Sequence, residues 1–224
     1  MLTEYPYRFG EWDESLRMIA EFLAPVDAGE PHYISWQVLA RRADIHMARG
    51  DTTASLADAD RALELVAATP DPQARYFVNG LCAHVFAGAS RHGQATELIG
   101  AVIDDLLCDV GLSFASIALP GLASAALRLG LLPELTSALE RHVPNPWIDV
   151  VRHYAAGDFI AAADTLGEIG SKPEEAEARL HAAERLAVAG RDDEAGEQLR
   201  QAIAFFRSVG AARYVEECES LARV

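Results

Sequence analysis

Apolar side chains recur along most of this chain at spacings of three and four residues. The clearest run alternates with charged residues and comprises Trp12, Leu16, Ile19 and Leu23. This spacing places the apolar side chains on one face of a helix, so it predicts an amphipathic helix over about residues 11–24. No segment shows the strict alternation of a half-buried strand, and we therefore predict no strands.

A short polar turn separates these helical runs at regular intervals. The turns are centred on residues 50, 90, 130, 157 and 190, which are 40, 40, 27 and 33 residues apart. Such periods are typical of helix–turn–helix repeats. We predict an all-α fold, an α-α superhelix of about five helical hairpins with a lone helix at each end, as a single domain over residues 1–224. The predicted hairpins span residues 31–68, 71–109, 112–143, 146–169 and 173–209, and the terminal helices span residues 11–24 and 211–223.

Capping residues support the predicted helix starts. An Asp or Asn side chain can accept hydrogen bonds from the free N–H groups of a first helical turn. The candidate caps are Asp51, Asp71, Asn145, Asp158 and Asp192. The segment from Ser171 to Glu174 has the S-x-x-E form of a capping box. Pro120 falls inside the predicted helix over residues 112–130, where it predicts a kink or a break; we favour a bend that follows the curvature of the array over a hinge.

The composition narrows the range of partners and compartments. The formal net charge is −15, which disfavours binding to nucleic acids and to anionic membranes. Cys82, Cys108 and Cys218 show no C-x-x-C pairing, so they are expected to be reduced thiols. No apolar run of about 18 residues predicts a membrane span, and the first residues do not have the pattern of a signal peptide. These features predict a cytoplasmic protein.

The hairpins resemble degenerate tetratricopeptide repeats. Small side chains lie where two paired helices must approach closely, as Ala43 does before Gly50 and as Ser55, Ala59 and Ala62 do after it. The resemblance covers units of about 27 to 40 residues.

Nearly the whole chain is also similar to the helical C-terminal tail of large bacterial AAA/STAND ATPase regulators, which are nucleotide-cyclase-like or LuxR/BTAD-type transcriptional regulators. The segments that resemble this tail are residues 145–147, 155–159, 168–171, 175–180 and 204–214. The similarity implies a region that senses a ligand or a protein, either as the tail of such a regulator or as a stand-alone relative. It does not imply catalysis, because the sequence contains no G-x-x-x-x-G-K-[ST] phosphate loop and no cyclase or DNA-reading module.

No residues with catalytic or metal-binding chemistry converge in the sequence. Asp149 and His153 are four residues apart and share a helix face, but zinc requires three or four convergent ligands. We therefore predict no catalytic residue, no cofactor and no metal site. The predicted function is a non-enzymatic protein-interaction and signal-sensing module, and an all-helical enzyme is the alternative from another class.

The candidate binding residues come from repeat geometry. In a right-handed stack of hairpins, the first helix of each pair lines the concave face. The residues predicted to face inward are Gln37, Asp44, Met47, Phe77, His84, Leu127, Arg128, Trp147, Tyr154 and Glu184. Aromatic side chains and Met with a few polar groups are typical of a recognition groove, which predicts a protein or peptide partner or a small effector and leaves a homo-oligomer possible. Alternatively, Phe77 and Trp147 pack between the repeats.

Aromatic residues also cluster at the start of the chain. Tyr5, Tyr7, Phe9 and Trp12 either fold over the first hairpin as an apolar cap or mark the place where a preceding repeat would pack. We favour the second interpretation, because an exposed aromatic cluster is typical of a contact surface.

Overall fold

The computed structural model describes residues 4–108 and 114–223, and it confirms the all-α prediction. Within these residues there are thirteen α-helices, one short 3₁₀ turn and no strand. None of these helices is both long enough and apolar enough to cross a membrane. The helices are α1 (Glu4–Arg8), α2 (Trp12–Asp27), α3 (Ser35–Arg49), α4 (Thr52–Ala67), α5 (Pro72–Gly88), α6 (His92–Leu107), α7 (Leu119–Leu129), α8 (Leu132–Leu139), α9 (Pro146–Ala156), α10 (Phe159–Glu168), α11 (Lys172–Val188), α12 (Asp192–Ser208) and α13 (Ala212–Leu221).

The helices of each predicted hairpin contact each other. The pairs are α3 with α4, α5 with α6, α7 with α8, α9 with α10, and α11 with α12. The first helices of successive pairs also pack side by side, in the order α3, α5, α7 and α9. The superhelical form of the array stays a prediction.

Most of the predicted caps are confirmed. The side chains of Asp51 and Asp158 accept hydrogen bonds from the backbone N–H groups of Ala54 and Ala161. Asp71 and Asn145 likewise accept from the first turns of α5 and α9. Two caps differ from the prediction. Asp192 lies within the first turn of α12 instead of preceding it, and the Ser171 hydroxyl donates to the Glu174 carboxylate at 2.8 Å instead of accepting from a backbone N–H.

The third hairpin departs most from its predicted bounds. The predicted helix ends at residues 109 and 112 lie outside the described residues, and the 3₁₀ turn Phe114–Ala118 precedes α7. Pro120 therefore lies in the first turn of α7, where its missing N–H costs no hydrogen bond, so the chain breaks there instead of bending. The partner helix α8 ends at Leu139, before the predicted residue 143.

Both ends of the described chain pack near the first hairpin. Helix α13 contacts α3. Helix α1, which the sequence pattern did not predict, contacts α11 and is joined to α3 by the Glu4–Arg41 ion pair. One apolar cluster joins Tyr7 and Trp12 to Ile45, Phe206 and Cys218. Tyr7 and Trp12 are only 4% and 3% exposed, so the favoured interpretation of the aromatic residues as an open contact surface is wrong for these two. They fold back over α3 together with the last hairpin.

Candidate functional site

Charged and polar side chains from five helices lie buried where the chain ends meet. We call this group the inner polar cluster; it consists of Glu4, Tyr7, Arg41, Asp44, His84, Ser124, Glu174, Glu177 and His181. These residues belong to α1, α3, α5, α7 and α11. All of them are buried except His84, whose side chain is 14% exposed. Buried charges are tolerated only when they are paired, and the pairing defines the geometry of the cluster.

Arg41 occupies the centre of the cluster and is 1% exposed. Its Nε and Nη2 donate to the two carboxylate oxygens of Glu4 at 3.1 and 2.8 Å, and its Nη1 donates to Asp44 at 3.0 Å. The guanidinium also lies 3.8 Å from the centre of the Tyr7 ring. Burial opposes the charged form of Arg41, but Glu4 and the other negative groups outweigh it and raise the pKa above its usual value. Bidentate contacts of this kind are among the strongest that a carboxylate makes.

Tyr7 connects the α1 side of the cluster to α3 and α11. Its hydroxyl donates to Asp44 Oδ2 at 2.8 Å and lies 3.4 Å from Glu174 Oε1. Burial, followed by the charges of Asp44 and Glu174, raises the pKa of Tyr7, so the phenol keeps its proton at neutral pH. Burial also raises the pKa of Glu174, even though the charge of Arg41 acts in the opposite direction.

His84 bridges two carboxylates. Its Nδ1 lies 3.2 Å from Asp44 Oδ1, and its Nε2 lies 3.2 Å from Glu177 Oε1. Only the imidazolium form can donate from both ring nitrogens. Burial opposes that charge, but Glu177 and Asp44 outweigh it and raise the pKa of His84 to about 10. In turn, His84 and other positive groups hold the pKa of Glu177 below its usual value against the effect of burial.

Ser124, His181 and Glu184 have the order of a nucleophile, a base and a carboxylate. Ser124 Oγ lies 3.1 Å from His181 Nε2, and His181 Nδ1 lies 3.1 Å from Glu184 Oε2. Activation of a serine requires that its proton point to the base. Here Ser124 donates its proton to Glu177 at 2.6 Å, and its side chain is fully buried. A substrate does not reach Ser124 in this conformation.

The inner polar cluster is nearly filled by its own side chains. The cavity beside Asp44, His84 and Tyr214 has a volume of about 20 Å³, which is room for about one water molecule. Tyr214 of α13 closes one side of it, because its hydroxyl lies 3.4 Å from His84 Nε2. The cluster therefore joins helices in this conformation and leaves little space for a ligand.

A second region, at the ends of the same helices, is open. We call it the turn groove; its main lining residues are Leu127, Phe159, His181, Glu184, Arg185 and Val188. Its volume is about 520 Å³, and a neighbouring depression of about 470 Å³ shares Leu127, Phe159 and Arg185 with it. Volumes of this size are typical of ligand sites.

The turn groove combines apolar walls with one arginine. Val188 is 91% exposed on its rim, and Phe159 forms part of its floor. Arg185 lies over the turn between α9 and α10, where a Cβ atom at Gly157 would come within 3.1 Å of Arg185 Cζ. Among the described residues, Arg185 forms no ion pair. Its guanidinium is thus available to a carboxylate from outside.

The structure distributes the predicted inward residues over three environments. Asp44 and His84 belong to the inner polar cluster; Gln37, Met47, Phe77 and Tyr154 are buried; Leu127, Arg128, Trp147 and Glu184 are partly or largely exposed. Phe77 packs against Trp36, and Tyr154 packs edge-on against Phe159 and His181. For the four buried residues, the prediction of an open face has to be corrected to interior packing. Met47 lies against Arg213 of α13, and Tyr154 lies against His181 of α11.

The contacts of the exposed candidates show where the open surface begins. Arg128 faces Glu217 of α13 at 3.9 Å, and the Arg8 guanidinium lies 5.3 Å from the centre of the Trp147 ring. Trp147 is therefore half-buried under the N-terminal helix. Only Leu127 and Glu184 among the predicted residues line the turn groove beside Arg185.

Sequence reasoning missed most of the inner polar cluster. Glu174, Glu177 and His181 follow one another at spacings of three and four residues, so they share one face of α11. Arg41 and Asp44 are likewise three residues apart on α3. The available signal was that polar residues share one face of α11 and one face of α3, although both helices are otherwise rich in apolar residues. Nothing in the local sequence indicates that these two polar faces meet.

The suspected pair of Asp149 and His153 does not form a site. Asp149 accepts a hydrogen bond from Arg152 at 2.8 Å. Among the described residues, no group of three or more His, Cys, Asp or Glu side chains is arranged to hold a metal ion.

Comparison with protein-family models, with curated proteins and with solved structures finds no match to this chain. The resemblance to tetratricopeptide arrays and to the tails of ATPase regulators therefore stays a prediction.

Proposed function

We propose that this protein is a non-enzymatic interaction and signal-sensing module that binds a protein or peptide partner in the turn groove. The observation that supports this most is the exposed apolar groove of about 520 Å³, which is lined in part by Arg185, a residue that forms no ion pair within the described part of the chain. As part of the same proposal, the protein is the regulatory tail of a bacterial ATPase regulator or a stand-alone relative of such a tail.

The groove defines the chemistry of the partner. Leu127, Phe159 and Val188 offer apolar surface, which favours aliphatic or aromatic side chains. Arg185 offers a planar guanidinium, which favours a carboxylate at the edge of the apolar contact. A peptide that combines a large apolar side chain with an Asp, a Glu or a free C-terminus fits both features.

Selection from a random peptide library on the immobilised wild-type protein tests the proposal. Peptides that bind the groove should lose at least about tenfold in affinity on Val188→Asp and on Arg185→Glu, because a loss of about 1.4 kcal/mol corresponds to tenfold. Both residues are exposed, so we expect these variants to melt within a few degrees of the wild type.

Val143→Asp is the matched control. Val143 is 83% exposed, similar to Val188, but it lies between α8 and α9 away from the groove. Selected peptides should bind Val143→Asp as they bind the wild type. Peptides that bind all four proteins equally would contradict the groove as the site.

A small effector is the second candidate ligand, and the size of the groove favours it as well. Its volume lies in the range of small-molecule pockets, and the Phe159 and His181 rings form part of its lining. A thermal-shift screen with small carboxylic acids, repeated on Arg185→Glu, tests whether an effector binds the groove without a peptide. Stabilisation that Arg185→Glu abolishes would favour the effector.

A further inference from the structure

Helix α1 is seated on the rest of the protein as a bound peptide would be. It has five residues, too few for a helix that is stable by itself. Glu4 and Tyr7 are three residues apart and share one face, and both point into the inner polar cluster. Their side chains therefore supply the specific contacts that hold α1 in place.

The surface under α1 has the features of a receptor site. Arg41 presents two N–H groups to one carboxylate, and its guanidinium stacks on the aromatic ring that follows one turn later. Asp44 accepts the phenolic hydrogen of that ring. Asp44 and Glu174 hold Arg41 from the receptor side, at 3.0 and 4.0 Å, so part of the site exists without α1.

Further contacts extend this site along the segment. The Arg8 side chain donates to the backbone carbonyl of Ile169, and its guanidinium faces the Trp147 ring at 5.3 Å. Lys172 lies 6.0 Å from the centre of the Phe9 ring. The residues that contact α1 and the adjoining Phe9 thus come from α3, α9, the end of α10 and the start of α11, which are distant in sequence.

A defined turn connects α1 to α2. Gly10 has a φ of +82°, a conformation that other residues rarely adopt, and Trp12 Nε1 donates to the Tyr7 carbonyl at 3.1 Å. The N–H groups of Gly10 and Glu11 also donate to the carbonyls of Tyr7 and Pro6, so the turn sets the direction in which α1 approaches its site.

We infer that the surface under α1 is a second binding site, which takes a helical turn of a partner protein carrying Glu and, three residues later, Tyr. The chain's own α1 occupies this site in the free protein, and a partner segment with the same two side chains replaces it. The recognition chemistry is a bidentate Arg41–carboxylate pair together with a phenol that stacks under Arg41 and donates to Asp44. This site is separate from the turn groove.

The experiment measures binding of a fluorescein-labelled peptide with the sequence of residues 1–10 to full-length protein. In the variant Glu4→Gln/Tyr7→Phe, the intrachain segment loses its ion pair and its hydrogen bond and competes poorly. We expect this variant to bind the peptide at least about tenfold more tightly than the wild type does, which corresponds to about 1.4 kcal/mol. A peptide with the same two substitutions should bind neither protein.

Two further variants distinguish a receptor site from unspecific adhesion. Adding Arg41→Lys to Glu4→Gln/Tyr7→Phe should abolish binding of the native peptide, because lysine cannot make the bidentate contact. Tyr7→Phe alone removes a single hydrogen bond and should give a smaller gain, of a few-fold.

Three results would overturn the inference. The first is a folded Glu4→Gln/Tyr7→Phe variant that does not bind the native peptide, and the second is equal binding of the native and the substituted peptide. The third is unfolding of both Glu4→Gln/Tyr7→Phe and Tyr7→Phe. The last result would make α1 a permanent part of the structure. Val188→Asp should leave this binding unchanged, so failure here is distinguishable from failure of the turn groove.

Discussion

The inner polar cluster and the turn groove lie on one face of the same helix, yet one is sealed and the other is open. Glu174, Glu177, His181, Arg185 and Val188 follow one another along α11 at spacings of three and four residues, so they form a single stripe. Exposure along this stripe changes from 8% at Glu174 to 91% at Val188. The N-terminal half of the stripe is covered by α1, α3 and α5, and its C-terminal half has no such cover.

The difference shows that packing against other helices determines whether the charged side chains of a helix face need partners. Where the stripe is covered, its carboxylates need Arg41 and His84 as partners, because an unpaired buried charge is costly. Where it is uncovered, Arg185 can stay unpaired in contact with water. His181 lies at the boundary and contributes to both regions, since it contacts Ser124 on one side and lines the groove on the other.

Tyr154→Ala gives the largest expected change in stability and tests whether the packing beside His181 belongs to the interior. Tyr154 is 2% exposed and packs against Phe159 and His181, so its truncation should lower the free energy of unfolding by about 3–5 kcal/mol. Trp147→Ala removes a half-buried ring and should cost clearly less. Urea denaturation of both variants gives the comparison. A larger loss of unfolding free energy for Trp147→Ala than for Tyr154→Ala would contradict the assignment of Tyr154 to the interior and of Trp147 to its edge.

The pH dependence of stability tests the sealed region. The pKa of His84 is about 10 in the folded protein, whereas an unperturbed histidine has a pKa of about 6.5. Its contribution to stability is therefore complete below pH of about 6.5 and is lost as the pH rises towards 10, with a slope of at most about 1.4 kcal/mol per pH unit. Glu177 and Asp44 have lowered pKa values, so their contributions are lost only in acid.

Urea denaturation of the wild type and of His84→Gln at several pH values measures this effect. Glutamine keeps a hydrogen-bonding side chain but carries no charge. The difference in unfolding free energy between the two proteins should shrink between about pH 6.5 and 10. Parallel curves across this range would show that His84 is not held as an imidazolium between the two carboxylates.

The sequence predicted local features better than long-range ones. The turns at Gly50 and Gly157 and the caps Asp51 and Asp158 were found because glycine and a capping carboxylate act within a few residues. The five helix pairs followed from these signals and from the spacing of apolar residues.

The inner polar cluster could not be predicted in the same way. Arg41 and Glu4 are 37 residues apart, and Tyr7 and Glu174 are 167 residues apart. No local pattern encodes such contacts, and the five residues of α1 are too short for a periodicity to identify the helix. Asp44 and His84 lie on the first helices of their pairs, α3 and α5, but the contacts that bury them were not foreseen from the sequence.

A double-mutant cycle on Arg41 and Glu4 tests most directly whether α1 seals the inner polar cluster. The cycle uses Arg41→Met, Glu4→Gln and their combination, and the matched control is the pair Arg191 and Glu194, whose contacts of 2.7 and 2.6 Å are equally bidentate but exposed to solvent. We expect a coupling free energy of at least about 2 kcal/mol for the buried pair and no measurable coupling for the exposed pair. Equal coupling in the two cycles would contradict the account, because it would mean that Glu4 is not held on Arg41 in the interior.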